Sequence, residues 1–319
     1  MKRLLVLLVV VAMLATIFST VLAEKKYVIA GIVFQEDQFM KTALQGMKDA
    51  AAKLGVDLLT TNTANQITKE VEMVNTYIAR GVDAIVITTL DGGGASIPAL
   101  QAAHNKGIKV VCFNGAIKAD FPVATIESNQ TDLGATSGKA ARQYIETKLK
   151  GRSEIQVATI DFAPQLPVQS DARANGFLLQ LLGLKGVKVV SQQSAWLVDT
   201  ATKKAQDIIT ANPKINIIYA CNDGGTKGAV LAVKNAGKAG KVAVFGIDID
   251  AQMCEFLLSK DNILQAVTGQ NPYMMGYLGV EDAVKALKGE PVEKNVIAKG
   301  VLYSRNDQKA VQAYYDTIK

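Results

Sequence analysis

One histidine, His104, excludes a multi-histidine metal site and leaves a histidine-dependent catalytic triad a single candidate base. Three cysteines are too few for a disulfide scaffold and cannot all pair within the chain. Cys112 lies in the apolar run Lys109 to Phe113, Cys221 follows Ile217-Ile218-Tyr219-Ala220, and Cys254 falls in a helical stretch. All three therefore read as buried free thiols, which pack as small hydrophobes. Charge of one sign is nowhere concentrated. The 35 Lys and Arg stand against 29 Asp and Glu, a formal net charge of +6, with no run of five basic residues. That distribution argues against nucleic acid as a partner. Disorder is excluded by a composition that is 49% hydrophobic and only 20% charged. At 319 residues the chain has room for one large or two ordinary domains.

The one long apolar run is at the start. Lys2 and Arg3 precede Leu4 to Ala15, and the stretch ends in Val21-Leu22-Ala23 before charged Glu24. This is the layout of a secretory signal, residues 1–23, cleaved near Ala23. A retained membrane anchor is the competing reading, weakened by Thr16, Ser19 and Thr20 in the second half. No cysteine near the cleavage site offers a lipid attachment point.

Beyond it, short β-branched runs alternate with helical patterns. Strands are expected at Tyr27 to Phe34, Val56 to Thr60, Ala84 to Thr89, Lys109 to Phe113, Val123 to Ile126, Glu154 to Ile160, Val187 to Ser191, Ile215 to Ala220, Lys241 to Ile247 and Leu264 to Thr268. Phe39, Ala43, Met47, Ala50 and Leu54 keep a helical period, as do Ile67, Val71, Val74 and Ile78. This alternation predicts an α/β fold with parallel sheets covered on both faces. No Pro/Ser-rich linker interrupts it, so a domain boundary must be a tight crossover. The pattern also repeats. After one strand come Leu90-Asp91-Gly92-Gly93, a helix and, beyond the next strand, Phe113-Asn114; after another come Asn222-Asp223-Gly224-Gly225, a helix and Gly246-Ile247-Asp248. The repeat implies two doubly wound lobes of one topology, with polar strand ends facing a shared crevice.

Phosphate and catalytic motifs are missing. The first βα turn, Gln35-Glu36-Asp37-Gln38, has two acids and no glycine, unlike a pyrophosphate-binding loop. Gly134 to Ala140 lacks the spacing and hydroxyl of a P-loop, and no G-x-S-x-G elbow occurs. What the strand ends supply is Glu36, Asp37, Asn114, Asn222, Asp248 and Gln270, together with Phe39 and Trp196. Carboxylates and amides bridge adjacent hydroxyls, and an aromatic face covers the C–H side of a ring. The set has the composition of a neutral polyol site. For each residue singly, a turn or helix cap is the competing explanation.

Gly46 to Gly55, Arg173-Ala174-Asn175-Gly176-Phe177, Cys221-Asn222-Asp223, Phe245-Gly246-Ile247-Asp248 and Gly269-Gln270-Asn271-Pro272 give the chain a strong resemblance to the periplasmic sugar-binding proteins of ABC importers. These are of the ribose, glucose and galactose type and share their fold with the core of lactose-repressor-like regulators. No helix-turn-helix precedes Tyr27, which speaks against the repressor branch. The resemblance implies a type I periplasmic binding protein, with lobes at 24–127 plus 269–293 and 128–268 plus 294–319. Three crossovers would join them, near Ile126 to Ser128, Val267 to Gln270 and Val292 to Val296. It puts Asp37 and Phe39 in the first ligand turn, Asn114 after the fourth strand, and Trp196 where a second stacking aromatic stands, the two aromatics sandwiching the ligand ring. Asn222, Asp248 and Gln270 match hydroxyl-binding positions. Two departures stand out. The Asp-Arg pair of ribose binders reads Asn114-Gly115, and a ligand arginine is replaced by Asp171, while Arg173 matches a more general family position.

The expected protein is a non-enzymatic, monomeric periplasmic receptor without metal or cofactor that delivers a monosaccharide or cyclitol to an ABC permease. A glycine, Gly115, and an acceptor, Asp171, where ribose binders have arginines favour myo-inositol, then glucose, ribose or xylose. Two alternatives stay open: a sensor or chemotaxis component presenting a bound ligand such as an autoinducer sugar, and an extracytoplasmic carbohydrate-active enzyme using Asp171 or Asp248.

Overall fold

The computed structural model describes residues 26–36 and 38–318. The expected leader and Asp37 lie outside them. The first lobe runs β1 (Val28–Val33), α1 (Gln38–Leu54), β2 (Asp57–Asn62), α2 (Ile67–Arg80), β3 (Ala84–Ile87), α3 (Ile97–Asn105), β4 (Lys109–Phe113) and β5 (Ala124–Glu127). The second continues with α4 (Gln130–Lys148), β6 (Ile155–Asp161), α5 (Pro167–Leu179), β7 (Val187–Ser194), α6 (Val198–Ala211), β8 (Ile215–Ala220), α7 (Asp223–Asn235), β9 (Ala243–Ile247), α8 (Ala251–Leu258) and β10 (Leu264–Gly269). The chain then returns to the first lobe for α9 (Pro272–Lys288) and β11 (Asn295–Ile297), and ends in the second with β12 (Val301–Ser304) and α10 (Gln308–Ile318).

The sheet orders are β11-β5-β4-β3-β1-β2 and β12-β10-β9-β8-β6-β7. Five strands of each trace the same doubly wound path, as the internal repeat predicts. The sixth strand distinguishes them: β11 runs parallel to β5, whereas β12 runs antiparallel to β10. Neither short strand is among those expected from sequence, and β11 pairs with the first sheet although residues 294–319 were expected in the second lobe. The third passage between sheets accordingly comes after Ile297 instead of falling at Val292 to Val296.

Burial on both faces explains the near-continuous apolar strands. In β1, Ile29 and Val33 point to one face with Met40, Ala43 and Met47 of α1, while Ala30 and Ile32 point to the other with Val74 and Tyr77 of α2. In α2 the fully buried residues are Glu70, Val74 and Tyr77; of the expected stripe, Val74 is in the core, Val71 and Ile78 pack against it half-buried, and only Ile67 falls outside. Ile67 is exposed. Glu70 is tolerated at full burial because its carboxylate accepts from Leu90 N–H at 2.9 Å and from the Ser96 hydroxyl at 2.5 Å.

Both lobes contain helices packed backbone to backbone through glycines. A Cβ on Gly46 would lie 2.0 Å from Tyr273 O and one on Gly276 2.0 Å from Ala43 O, so α1 and α9 touch through reciprocal glycines. In the second lobe, a Cβ on Gly134 would lie 2.0 Å from Arg173 O and one on Gly176 2.2 Å from Thr131 O, so α4 and α5 are joined in the same way. Both α4 and α9 are helices that begin just after a crossover.

Candidate functional site

The carboxyl ends of the strands in both lobes open onto one cleft of about 220 Å³. That is at the small end of ligand pockets, below the roughly 300–1,000 Å³ typical for drug-sized molecules. From the first lobe come Phe34, Gln35, Gln38, Phe39, Met40, Thr42 and Asn114; the second lobe supplies, among others, Phe162, Gln169, Arg173, Trp196, Asn222, Lys227, Asp248, Asp250 and Gln270. The lobes approach closely beside the cleft, where a Cβ on Gly115 would stand 3.6 Å from Gln169 Nε2.

Of the residues expected from sequence, Phe39, Asn114, Arg173, Trp196, Asn222, Asp248 and Gln270 line this cleft. Glu36 does not: it is exposed and pairs with Lys41 at 3.6 Å. Asp171 is also exposed and outside the lining, because two residues along a helix turn it to nearly the opposite side from buried Arg173. The acceptor character of the cleft therefore owes nothing to Asp171.

Asn114 and Asp248 leave their strands at φ 64° and 71°. Asn and Asp tolerate this left-handed region better than other residues with a Cβ, and the kink turns each side chain off the sheet toward the cleft. Gln270 Nε2 donates to Asp248 Oδ1 at 2.8 Å. Among the described residues no donor reaches buried Gln270 Oε1, an acceptor whose desolvation is uncompensated.

Asn222 works as the N-cap of α7, its Oδ1 accepting from Gly225 N–H at 3.0 Å. Its Nδ2 donates to Trp196 O at 2.9 Å, so the same amide fixes the loop that carries the tryptophan. The Trp196 ring meets Phe162 edge to face, with centroids 5.2 Å apart at 88°. On Phe162 also rests the Arg173 guanidinium, 5.3 Å from the ring centroid, a cation–π contact. Arg173 is 4% exposed; its Nε donates to Gln130 Oε1 at 2.7 Å and Nη1 to Cys221 O at 2.9 Å.

Sequence reasoning missed an ion triad on the cleft wall. Lys227 Nζ lies 2.5 Å from Asp250 Oδ2 and 3.3 Å from Asp223 Oδ2. Burial pulls the Lys227 ammonium down, but the hydrogen bond to Asp250 and the two carboxylate charges outweigh it and hold its pKa above the ordinary lysine value. The i,i+4 spacing of Asp223 and Lys227 was the available signal. Gln35, Gln38, Thr42, Phe162 and Gln169 were missed too, since their convergence depends on how strands and lobes are juxtaposed. The three cysteines are free and buried, as expected.

A family model described as a periplasmic binding protein domain matches residues 30–291. An ABC transporter periplasmic-binding protein of Escherichia coli, YphF, is 29% identical over 307 residues, covering 92% of each chain. The ribose import binding protein RbsB of Salmonella typhimurium is 29% identical over 294 residues, covering 92% of this chain and 95% of the relative. Among solved structures, an ABC transporter periplasmic solute binding protein from Actinobacillus succinogenes with bound D-allose aligns with a TM-score of 0.80 at 26% identity, over 90% of this chain and all of that one.

Proposed function

Because the chain belongs to the periplasmic binding protein family, a family of non-enzymatic receptors serving ABC transporters, we propose that it captures a neutral monosaccharide or cyclitol in the inter-lobe cleft and hands it to a membrane permease. The observation that carries the ligand class is the convergence of planar amides from both lobes and carboxylates from the second on one small cleft with aromatic walls. The two cations there are already engaged, Lys227 by Asp223 and Asp250 and Arg173 by Gln130 and Cys221 O. An anionic ligand would therefore have to displace an existing partner, whereas hydroxyls add to the network.

Within that class the preferred ligand is myo-inositol, ahead of glucose, ribose and xylose. Position 115 is a glycine and contributes no cation. Asp248 and the unpartnered Gln270 Oε1 are acceptors, and every hydroxyl of a cyclitol donates. A micromolar Kd requires only about −8 kcal/mol, within reach of several hydrogen bonds to charged groups at about 1.5–3 kcal/mol each, net of ordering costs. A ligand that touches both lobes favours the closed arrangement, and the protein works as a monomer in the periplasm.

Calorimetric titration with myo-inositol, glucose, ribose, xylose and D-allose tests both levels. Heat from myo-inositol at the lowest concentration is expected. Tight ribose, allose or glucose binding with none for myo-inositol overturns the cyclitol preference, and silence from all five overturns the polyol class.

A further inference from the structure

We infer that Gln130, which lies outside the cleft lining, is the positioning residue that ties the first crossover to the arginine in the cleft; this rests on the receptor reading above. The crossover runs from Glu127 to Asn129, and α4 begins at Gln130. The Gln130 side chain uses both ends of its amide. Nε2 reaches back to Ser128 O at 3.1 Å, in the crossover itself, and Oε1 accepts from Arg173 Nε at 2.7 Å. A single planar group thus holds the hinge backbone on one side and the guanidinium on the other.

The contacts beyond Arg173 make the link consequential. The guanidinium lies over Phe162, Phe162 meets Trp196 edge to face, and Trp196 O is held by Asn222. Arg173, Phe162, Trp196 and Asn222 all line the cleft. An unbroken series of contacts therefore runs from the crossover to the aromatic wall. The helices at its start cannot slide to absorb a displacement, because Gly134 and Gly176 bring α4 and α5 into backbone contact beside Gln130 and Arg173. Rotation of the backbone at Ser128 is passed to Arg173 and not dissipated in loose packing.

Chemistry also explains why a glutamine stands here. Ser128 O needs a donor and Arg173 Nε needs an acceptor, and a carboxamide offers the two on separate atoms of one planar group without adding charge. Glutamate would serve the arginine alone; methionine has the same reach and serves neither.

Trp196 is the sole tryptophan, so its accessibility reports on the wall without any ligand. Acrylamide quenching of the ligand-free protein is expected to rise at least 1.5-fold in Gln130→Met, which loses both contacts, and by a smaller amount in Gln130→Glu, which keeps the acceptor for Arg173 but loses the donor to Ser128 O, with both variants still unfolding cooperatively. Arg173→Lys, which keeps the charge but loses the Nε donor, is expected to match Gln130→Met and serves as the second variant if that one folds poorly. For whichever of myo-inositol, glucose, ribose, xylose and D-allose binds the wild type, Gln130→Met should weaken binding at least 5-fold and Gln130→Glu by an intermediate 2- to 5-fold, because only the Arg173 half of the link survives. Wild-type quenching in Gln130→Met and Arg173→Lys overturns the positioning role. A wild type that binds none of the five overturns the receptor's ligand class, while the quenching result still decides the role of Gln130.

Discussion

Asn114 and Asp248 hold corresponding places in the two lobes. Each is the first residue beyond the fourth strand of its lobe, at φ 64° and 71°. Each donates its backbone N–H to the neighbouring strand, Asn114 to Ile126 O at 2.8 Å and Asp248 to Thr268 O at 2.9 Å. One turn chemistry, used twice, thus presents a carboxamide from one side of the cleft and a carboxylate from the other. They differ in charge, so the strong acceptor belongs to the second lobe, where Gln270 holds it.

Asp248→Ala should therefore cost at least about 2 kcal/mol of binding, roughly 30-fold in Kd. The substitution removes the ligand's acceptor, leaves the Gln270 amide without its partner, and puts alanine in the left-handed region. Asp248→Asn keeps the turn and an acceptor for Gln270, so its loss should be smaller. Titration of both variants with the tightest polyol checks the order, and equal affinities for Asp248→Ala and wild type would remove Asp248 from the site.

The doubly wound lobes were legible because β-branched runs, helical periods and the Asp91/Asp223 repeat agree with one another, the consistency that specifies a fold. The last two strands were not. β11 and β12 are three and four residues long and mostly exposed, so their short apolar runs, Val296-Ile297 and Val301-Leu302-Tyr303, are too brief to mark a strand, and hydrogen bonding to a sheet edge is what makes them strands. At the site, Asp171 and Arg173 could have been separated by helical phase, which puts residues two apart on nearly opposite sides. Phe162 was invisible for another reason: its contact with Trp196 requires β6 to lie beside β7, a fact of sheet order.

The cysteines bear on alkaline stability. Burial pushes Cys112, Cys221 and Cys254 from an ordinary value of 9.0 up to about 12. A thiol that stays protonated in the fold but ionises in the unfolded chain stabilises the fold fully below pH 9 and progressively less as pH rises toward 12. The thermal midpoint should fall between pH 9 and pH 11 more steeply than between pH 7 and pH 9. A thiol reagent at pH 8 should label none of the three in the native protein and all three after denaturation. Rapid native labelling would contradict the burial.

Lys227 offers a test of the ion triad. Lys227→Met leaves Asp223 and Asp250 facing each other without their shared cation and should lower stability by about 1–2 kcal/mol, the cost of an unsatisfied partly buried group. Asp250 also caps α8, its Oδ1 accepting from Met253 N–H at 2.9 Å. Adding Asp250→Asn to Lys227→Met removes the repulsion while keeping that acceptor, and should recover most of the loss. Urea denaturation of the two single variants and the double variant measures the coupling. Additive losses would mean the triad contributes nothing as a unit.

Asn222 permits a separation of helix capping from ligand binding on one side chain. Its Oδ1 satisfies Gly225 N–H, and its Nδ2 satisfies Trp196 O. Gly224 belongs to the same contact, since a Cβ there would stand 2.2 Å from Trp196 O, so the first turn of α7 presses directly on the tryptophan's carbonyl. Asn222→Ala loses both hydrogen bonds and should cost about 1 kcal/mol of stability for the cap in addition to affinity. Asn222→Asp keeps the cap acceptor and adds a negative charge at a helix N-terminus, which is favourable there. It also sets a carboxylate oxygen against the Trp196 carbonyl, two acceptors with no proton between them, and the loop must move away. The aspartate variant should therefore be more stable than the alanine variant yet lose at least tenfold in affinity, with a shifted Trp196 emission maximum. Wild-type affinity and emission in Asn222→Asp would reduce Asn222 to a helix cap that happens to face the cleft.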